Sequence, residues 1–274
     1  MAGTPGAPRK SGFRMPAEWE PHEATWIAWP HNRSDWPGRF APIPWVYAEI
    51  VRKLSRVEQV RILVGSSAEE ARARTVLRKA GAVMEAVEFF PCPTNRVWTR
   101  DFGPIFVKHR RGEVALTGWR FNGWAKYDDW QKDVKVPGAL AKQLGSTLFR
   151  SEMVLEGGSI DVNGAGLLLT TEECLLSEVQ QRNPGMSRRE IERHFRDYLG
   201  VKRVIWLRKG IAGDDTHGHI DDLARFVSAQ RGAQFTPDGM LKFVMKTVAA
   251  DEVLRSLQDI LEQLSVEEVR PGSR

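Results

Sequence analysis

The strongest constraint on the fold is a regular alternation of strand and helix signals along the first 228 residues, each with its own stop. Ala24 to Trp29 reads as a buried strand. Pro42 and Pro44 open a helix through Val46, Ile50, Val51 and Leu54, and Val60 to Val64 is a second strand closed by Gly65. Ser67-Ala68-Glu69-Glu70 reads as a capping box, starting a helix that runs to a Gly81 cap. Val83 to Phe89 is expected as a third strand, and Gly166 to Thr170 as another. A second box, Ser187-Arg188-Arg189-Glu190, opens a helix that ends near Gly200, and Val204 to Leu207 follows as a strand. Such alternation predicts a mixed α/β fold. Residues 1–14, rich in small, proline and basic residues, read as a disordered leader. No interdomain linker stands out. In the tail, 229–274, Val253, Leu254, Leu257, Ile260, Leu261 and Leu264 predict one amphipathic helix, and the strand–turn alternation is not expected to resume.

Composition narrows the functional classes. No run approaches the roughly 18 apolar residues of a membrane span, so no membrane partner is expected. The basic N-terminus has no apolar core of a secretory signal. The 274 residues carry a net charge of +5. The Lys and Arg alternate with acids as on solvated helix faces, which argues against a nucleic-acid partner. Two cysteines, Cys92 and Cys174, make no disulfide framework and predict reduced thiols in a cytoplasmic setting. Nine of the ten tryptophans precede residue 131, which sets the C-terminal end apart.

Three segments could carry chemistry. The densest is Asp214-Asp215-Thr216-His217-Gly218-His219-Ile220-Asp221-Asp222. Four carboxylates and two imidazoles suit a cation, a metal or a catalytic proton, although a solvated acidic loop has the same composition. Read as a metal site, His217, His219 and Asp221 approach the zinc-binding pattern of metallohydrolases, but Asp222 stands where a histidine is needed. Read as acid/base machinery, an H-x-D pair on an extended segment sends His219 and Asp221 to one side, an imidazole to move a proton and a carboxylate to hold a cation. The second segment is Trp98-Thr99-Arg100-Asp101-Phe102-Gly103-Pro104. A carboxylate beside an indole suits a flat guanidinium, and a structural pairing of Asp101 with Arg96 or Arg100 is equally open on local evidence. The third is Leu155-Glu156-Gly157-Gly158-Ser159, an acid before two glycines that allow close backbone approach or a bulge.

In this order, together with Met15-Pro16-Ala17-Glu18-Trp19-Glu20-Pro21-His22, these motifs and His217-Gly218-His219-Ile220-Asp221 resemble the agmatine deiminase family. The likeness runs from about Met15 to Ser228 and includes Trp26-Ile27-Ala28-Trp29-Pro30 and Thr170-Thr171-Glu172-Glu173-Cys174-Leu175-Leu176. The resemblance implies a five-bladed β/α-propeller of ββαβ units over 15–228. It implies hydrolysis of agmatine to N-carbamoylputrescine and ammonia, toward putrescine, with no cofactor and no metal. By position, Asp101 and Asp221 would grip the guanidinium, His219 would be the general acid/base, and Trp98 and Glu156 would lie against the substrate. A homo-oligomer is compatible with this reading.

The same resemblance implies a nucleophilic cysteine in a glycine-rich segment near the C-terminus. No cysteine follows Cys174 here, and no such segment is present. The expectation is therefore a deiminase-type chain, truncated or divergent after about residue 228 and missing its last blade and nucleophile. The alternatives are a non-catalytic guanidine-binding protein and a zinc hydrolase. Cys92, between two prolines, and Cys174, which matches a non-nucleophilic family position, are poor substitutes.

Overall fold

A computed structural model describes residues 6–229 and, as backbone alone, 231–235 and 241–246. The elements run β1 (Phe13–Arg14), β2 (Ala24–Ala28), α1 (Ile43–Leu54), β3 (Gln59–Val64), α2 (Ser67–Ala80), β4 (Val87–Pro91), α3 (Thr99–Phe102) and β5 (Ile105–His109). They continue with β6 (Val114–Arg120), α4 (Val136–Gln143), β7 (Leu148–Val154), β8 (Asp161–Val162), β9 (Leu167–Thr171) and α5 (Glu172–Leu176). The last are α6 (Arg188–Leu199), β10 (Arg203–Leu207), β11 (Ala224–Ser228), β12 (Arg231–Phe235) and β13 (Leu241–Lys246). No helix among the described residues is long and apolar enough to cross a membrane.

The chain forms two interleaved compact units. The first takes residues 20–106 and 114–157, the second residues 6–19, 107–113 and those from 158 onward. The chain therefore passes repeatedly from one unit to the other, which is why no linker is visible in the sequence.

In the first unit β2, β3 and β4 are parallel, with β3 central. Parallel neighbours need crossover connections, and α1 and α2 supply them. Strand β3 buries Val60, Ile62, Leu63 and Val64, as a strand covered on both faces does. Ala48 and Val51 of α1 and Ala73 and Leu77 of α2 complete that core. Helix α2 begins one residue earlier than the sequence suggests. Ser66, not Ser67, is the N-cap, its hydroxyl accepting from Glu69 N at 3.2 Å. The Glu69 carboxylate accepts from Gly65 N at 2.6 Å. The expected strand from Val83 is shorter, because Met84–Ala86 form a 3-10 turn before β4. Strands β6 and β7 are also parallel, joined through α4.

The same unit buries an ionic group. Arg96 reaches Asp35 at 2.5 Å and Asp129 at 2.6 Å, and its guanidinium lies 4.1 Å from the Tyr127 ring centroid. Asp133, fully buried, accepts from Asn95 N at 2.6 Å and Arg96 N at 3.3 Å. Burial raises its carboxyl to about 6, against these two donors. Below the ordinary value of 3.8 it is protonated whether the chain is folded or not. Between 3.8 and about 6 the unfolded chain ionises while the folded one holds its proton, so stability is lost as pH rises through this window. Asp133→Asn is therefore expected to gain about 2 kcal/mol on the wild type between pH 4 and pH 7, measured as the difference in denaturant midpoint. A constant difference across that window would refute the assignment.

In the second unit β8, β9, α6 and β10 follow one another as a ββαβ unit, with β8–β9 antiparallel and β9–β10 parallel. Helix α6 has the expected capping box at Ser187 and Glu190 and ends on Gly200 at φ +71°. Leu169, Ile205, Leu207, Ile220, Leu223, Ala224 and Phe226 form its core. Two expectations are corrected here. Residues 8–14 are not a disordered leader. Pro8–Ser11 form a 3-10 turn, Gly12 reverses the chain at φ +84°, and Phe13 and Arg14 pair with His109 and Lys108. The φ of +84° favours glycine, and a Cβ at Gly12 would stand 2.7 Å from His109 Nε2, so the imidazole would have to shift for any larger residue. Strand structure also resumes after residue 228, with β12 pairing β11 and β13 antiparallel. The helix expected over Val253–Leu264 lies outside the described residues.

Candidate active-site residues

The first unit carries Trp98, Asp101 and Glu156. Trp98 caps the short helix α3, which returns Asp101 N to Trp98 O at 2.9 Å and so turns the Asp101 side chain inward. Asp101 is buried, and its Oδ2 accepts from the indole Nε1 of Trp124 at 3.0 Å. The Arg96 guanidinium is committed to Asp35 and Asp129, which removes one of the two structural pairings open on sequence. Trp98 is 43% exposed and lies 6.1 Å from the Trp36 ring. It is an accessible flat surface, whereas the indole that contacts Asp101 is Trp124.

Trp124 is the residue that sequence reading missed. It holds φ +59° and Ala125 holds φ +51°. The Asn122 side chain steadies the turn by accepting from Ala125 N at 3.0 Å. A bulky side chain in left-handed backbone is strained and persists where its surroundings fix it. Only Asn122-Gly123 before the tryptophan hinted at such a turn.

Glu156 is fully buried. Gly157 lies so close to α3 that a Cβ there would stand 2.1 Å from Arg100 O. The glycine is thus explained by close backbone approach. It seats the segment after Glu156 directly on the turn that bears Asp101.

The second unit carries His219, Asp221 and the third member of the expected metal set, His217. Residues 217–223 form bends and turns rather than the expected extended segment. The turn still brings the pair together, with His219 Nδ1 3.9 Å from Asp221 Oδ1. His219 is buried, and Asp221 is half-buried with its N–H on Gly158 O at 3.3 Å. His217 turns elsewhere, its Nε2 3.3 Å from Ser177 Oγ. Among the described residues no group of three potential ligands contains His217. The zinc reading of His217, His219 and Asp221 is corrected accordingly, because a tetrahedral site needs ligand atoms that converge.

Both cysteines are buried. Burial, with a smaller contribution from the charge of Asp133, pushes the Cys92 thiol up. Cys174 sits in α5, its backbone N–H donating to the Thr171 hydroxyl at 3.0 Å.

Residues 14–271 match the Porphyromonas-type peptidyl-arginine deiminases. The chain is 39% identical over 234 residues to the agmatine deiminase of Pseudomonas aeruginosa, covering 83% of this chain and 61% of that protein. It is 37% identical over 262 residues to a Yersinia pseudotuberculosis protein provisionally named an agmatine deiminase, covering 93% and 69%. Among solved structures it is similar to the agmatine deiminase of Enterococcus faecalis, with TM-score 0.79, 31% identity, and 96% and 68% of the two chains covered. A serine-for-cysteine variant of the C. jejuni agmatine deiminase with substrate bound gives TM-score 0.74 at 29% identity, covering 90% and 71%. The class defined by fold and sequence is that of hydrolases acting on guanidino groups. Within it, the chain belongs to the Porphyromonas-type peptidyl-arginine deiminase family, with agmatine deiminases as its relatives. The family match extends past Ser228 to residue 271, further than the motifs alone indicate.

Proposed function

We propose that this is an agmatine deiminase-type chain of the cytoplasm that recognises the guanidinium of agmatine, in a fold of β/α-propeller type with five ββαβ blades. The β8-β9-α6-β10 unit supports that fold. The observation that carries the functional reading is the buried Asp101 carboxylate beside the Trp124 indole, a setting suited to a planar cation. Asp101 and Asp221 accept from the guanidinium N–H groups, Trp98 and Glu156 contact the substrate, and His219 is the proton carrier. Fixed carboxylates expose the central carbon of a delocalised cation to attack.

The complete reaction, agmatine plus water to N-carbamoylputrescine plus ammonia, lies on a route to putrescine. In this chemistry a thiolate adds to the guanidinium carbon, and ammonia leaves with a proton from the imidazole. Water then cleaves the carbon–sulfur bond and releases the ureido product and the thiol. The burial of both cysteines favours a second outcome for the 274-residue chain itself, guanidine binding without turnover.

Calorimetry with agmatine tests the binding step. Asp101→Asn and Asp221→Asn are each expected to weaken binding by about 1–3 kcal/mol, the scale of a lost charge-assisted hydrogen bond. If both grip one guanidinium, the double variant departs from the sum of the two. Unchanged affinity in both single variants would dismiss the reading.

A further inference from the structure

We propose that Asp214 is the positioning residue for the His219 imidazole, its carboxylate filling a concave row of N–H groups formed by the turn that carries His219. The inference rests on the acid/base reading of His219 given above. Asp214 accepts from His219 N at 2.9 Å, Gly218 N at 2.8 Å and Thr216 N at 2.8 Å, and from the Thr216 hydroxyl at 2.6 Å. His217 at φ +59° and Gly218 at φ +97° are successive left-handed residues, which turn neighbouring N–H groups to one side. Such a row attracts an anion, and here the chain supplies its own.

The opposite side of the turn is also held. The Thr171 hydroxyl donates to Gly218 O at 2.5 Å. A Cβ at Gly218 would meet Glu173 Cβ and Thr171 Oγ1 at 3.0 Å each. A histidine in left-handed backbone is strained, and His217 keeps that conformation because these contacts over-determine it. The result is a fixed main chain directly before a buried imidazole that has Asp221 at 3.9 Å. Proton transfer requires hydrogen-bond reach, and displacement by about 1 Å can cost 10²-fold in rate. Burial acts to raise the Asp214 carboxyl, but its donors, the Thr216 hydroxyl foremost, outweigh burial and hold it below the ordinary carboxylate range.

The test is nitrogen-15 NMR of the full 274-residue chain. In the wild type, the ring nitrogens of neutral His219 are expected to report one tautomer. The Gly218 and His219 amide protons should shift together as Asp214 titrates, below the usual carboxylate range. Asp214→Asn should abolish that shared titration and give an averaged imidazole, because an amide cannot accept on both sides. Glu173→Gln loosens the same loop at Gly210 N, whose bond to Glu173 is 2.7 Å long, and should leave the His219 signals unchanged. A folded Asp214→Asn protein with an unaltered His219 spectrum overturns the proposal. If that variant does not fold, the wild-type amides decide, and their failure to titrate overturns it equally. Agmatine added to the wild type separates the two levels. A fixed His219 tautomer that does not respond to agmatine speaks against the acid/base reading and leaves the positioning role intact.

Discussion

Incubated with agmatine, the 274-residue chain is expected to release no N-carbamoylputrescine detectable in a colorimetric ureido assay. Guanidinium carbon is a poor electrophile because its charge is shared over three nitrogens, so the chemistry depends on a thiolate. Cys92 is 4% exposed and its thiol is pushed up, so the reactive form is scarce. Cys174 is 1% exposed, although its Sγ lies within 4.8 Å of a His219 ring nitrogen. Orientation and electrostatics without a nucleophile leave about a 10³–10⁴-fold acceleration over water in other catalytic units, too little for so inert a substrate. Turnover that disappeared in Cys92→Ser or Cys174→Ser would overturn this expectation and name the nucleophile.

Gly157→Ala should cost stability more than any other single change considered. The added Cβ would stand 2.1 Å from Arg100 O, and a carbonyl in a helical turn cannot rotate away as a side chain can. Overpacking typically costs about 1–3 kcal/mol, and a backbone clash belongs at or above the top of that range. A loss of about 3–4 kcal/mol is expected in a chevron or denaturant titration, together with weaker agmatine binding because α3 bears Asp101. A variant with wild-type midpoint would mean that the Glu156 segment and α3 separate freely.

Local signals were the legible part of the fold. The Ser187–Glu190 box and the glycines at 81 and 200 lie where the sequence puts them, because capping is decided within four or five residues. The α2 cap shows the limit of such reading. Ser66 and Ser67 each stand three residues before a glutamate, and the choice depends on where Gly65 leaves β3. Segment 8–14 could not be read, because its partners are Lys108 and His109, far along the chain. At the site, Asp101 stood out in the sequence as a carboxylate beside an indole, but the indole that contacts it, Trp124, was not legible, since only the fold brings it beside Asp101. Asp214 was visible only as one acid among four. Its role depends on the backbone path from Thr216 to His219. The pairing of His219 with Asp221 was expected for a strand and is achieved by a turn.

The interleaving of the two units has a consequence for biosynthesis. Met15 N donates to Leu199 O at 2.9 Å, closing a loop of about 180 residues. At roughly 5–20 residues per second, a ribosome needs on the order of 10–40 s to deliver that partner. β1 waits roughly half of this interval for Lys108 and His109, and Met15 waits all of it for Leu199, while α1, α2 and the sheet they cover have all their residues once β4 is made. The order of assembly is thereby written into the chain: the earliest-made residues of the second unit are among the last to find their place.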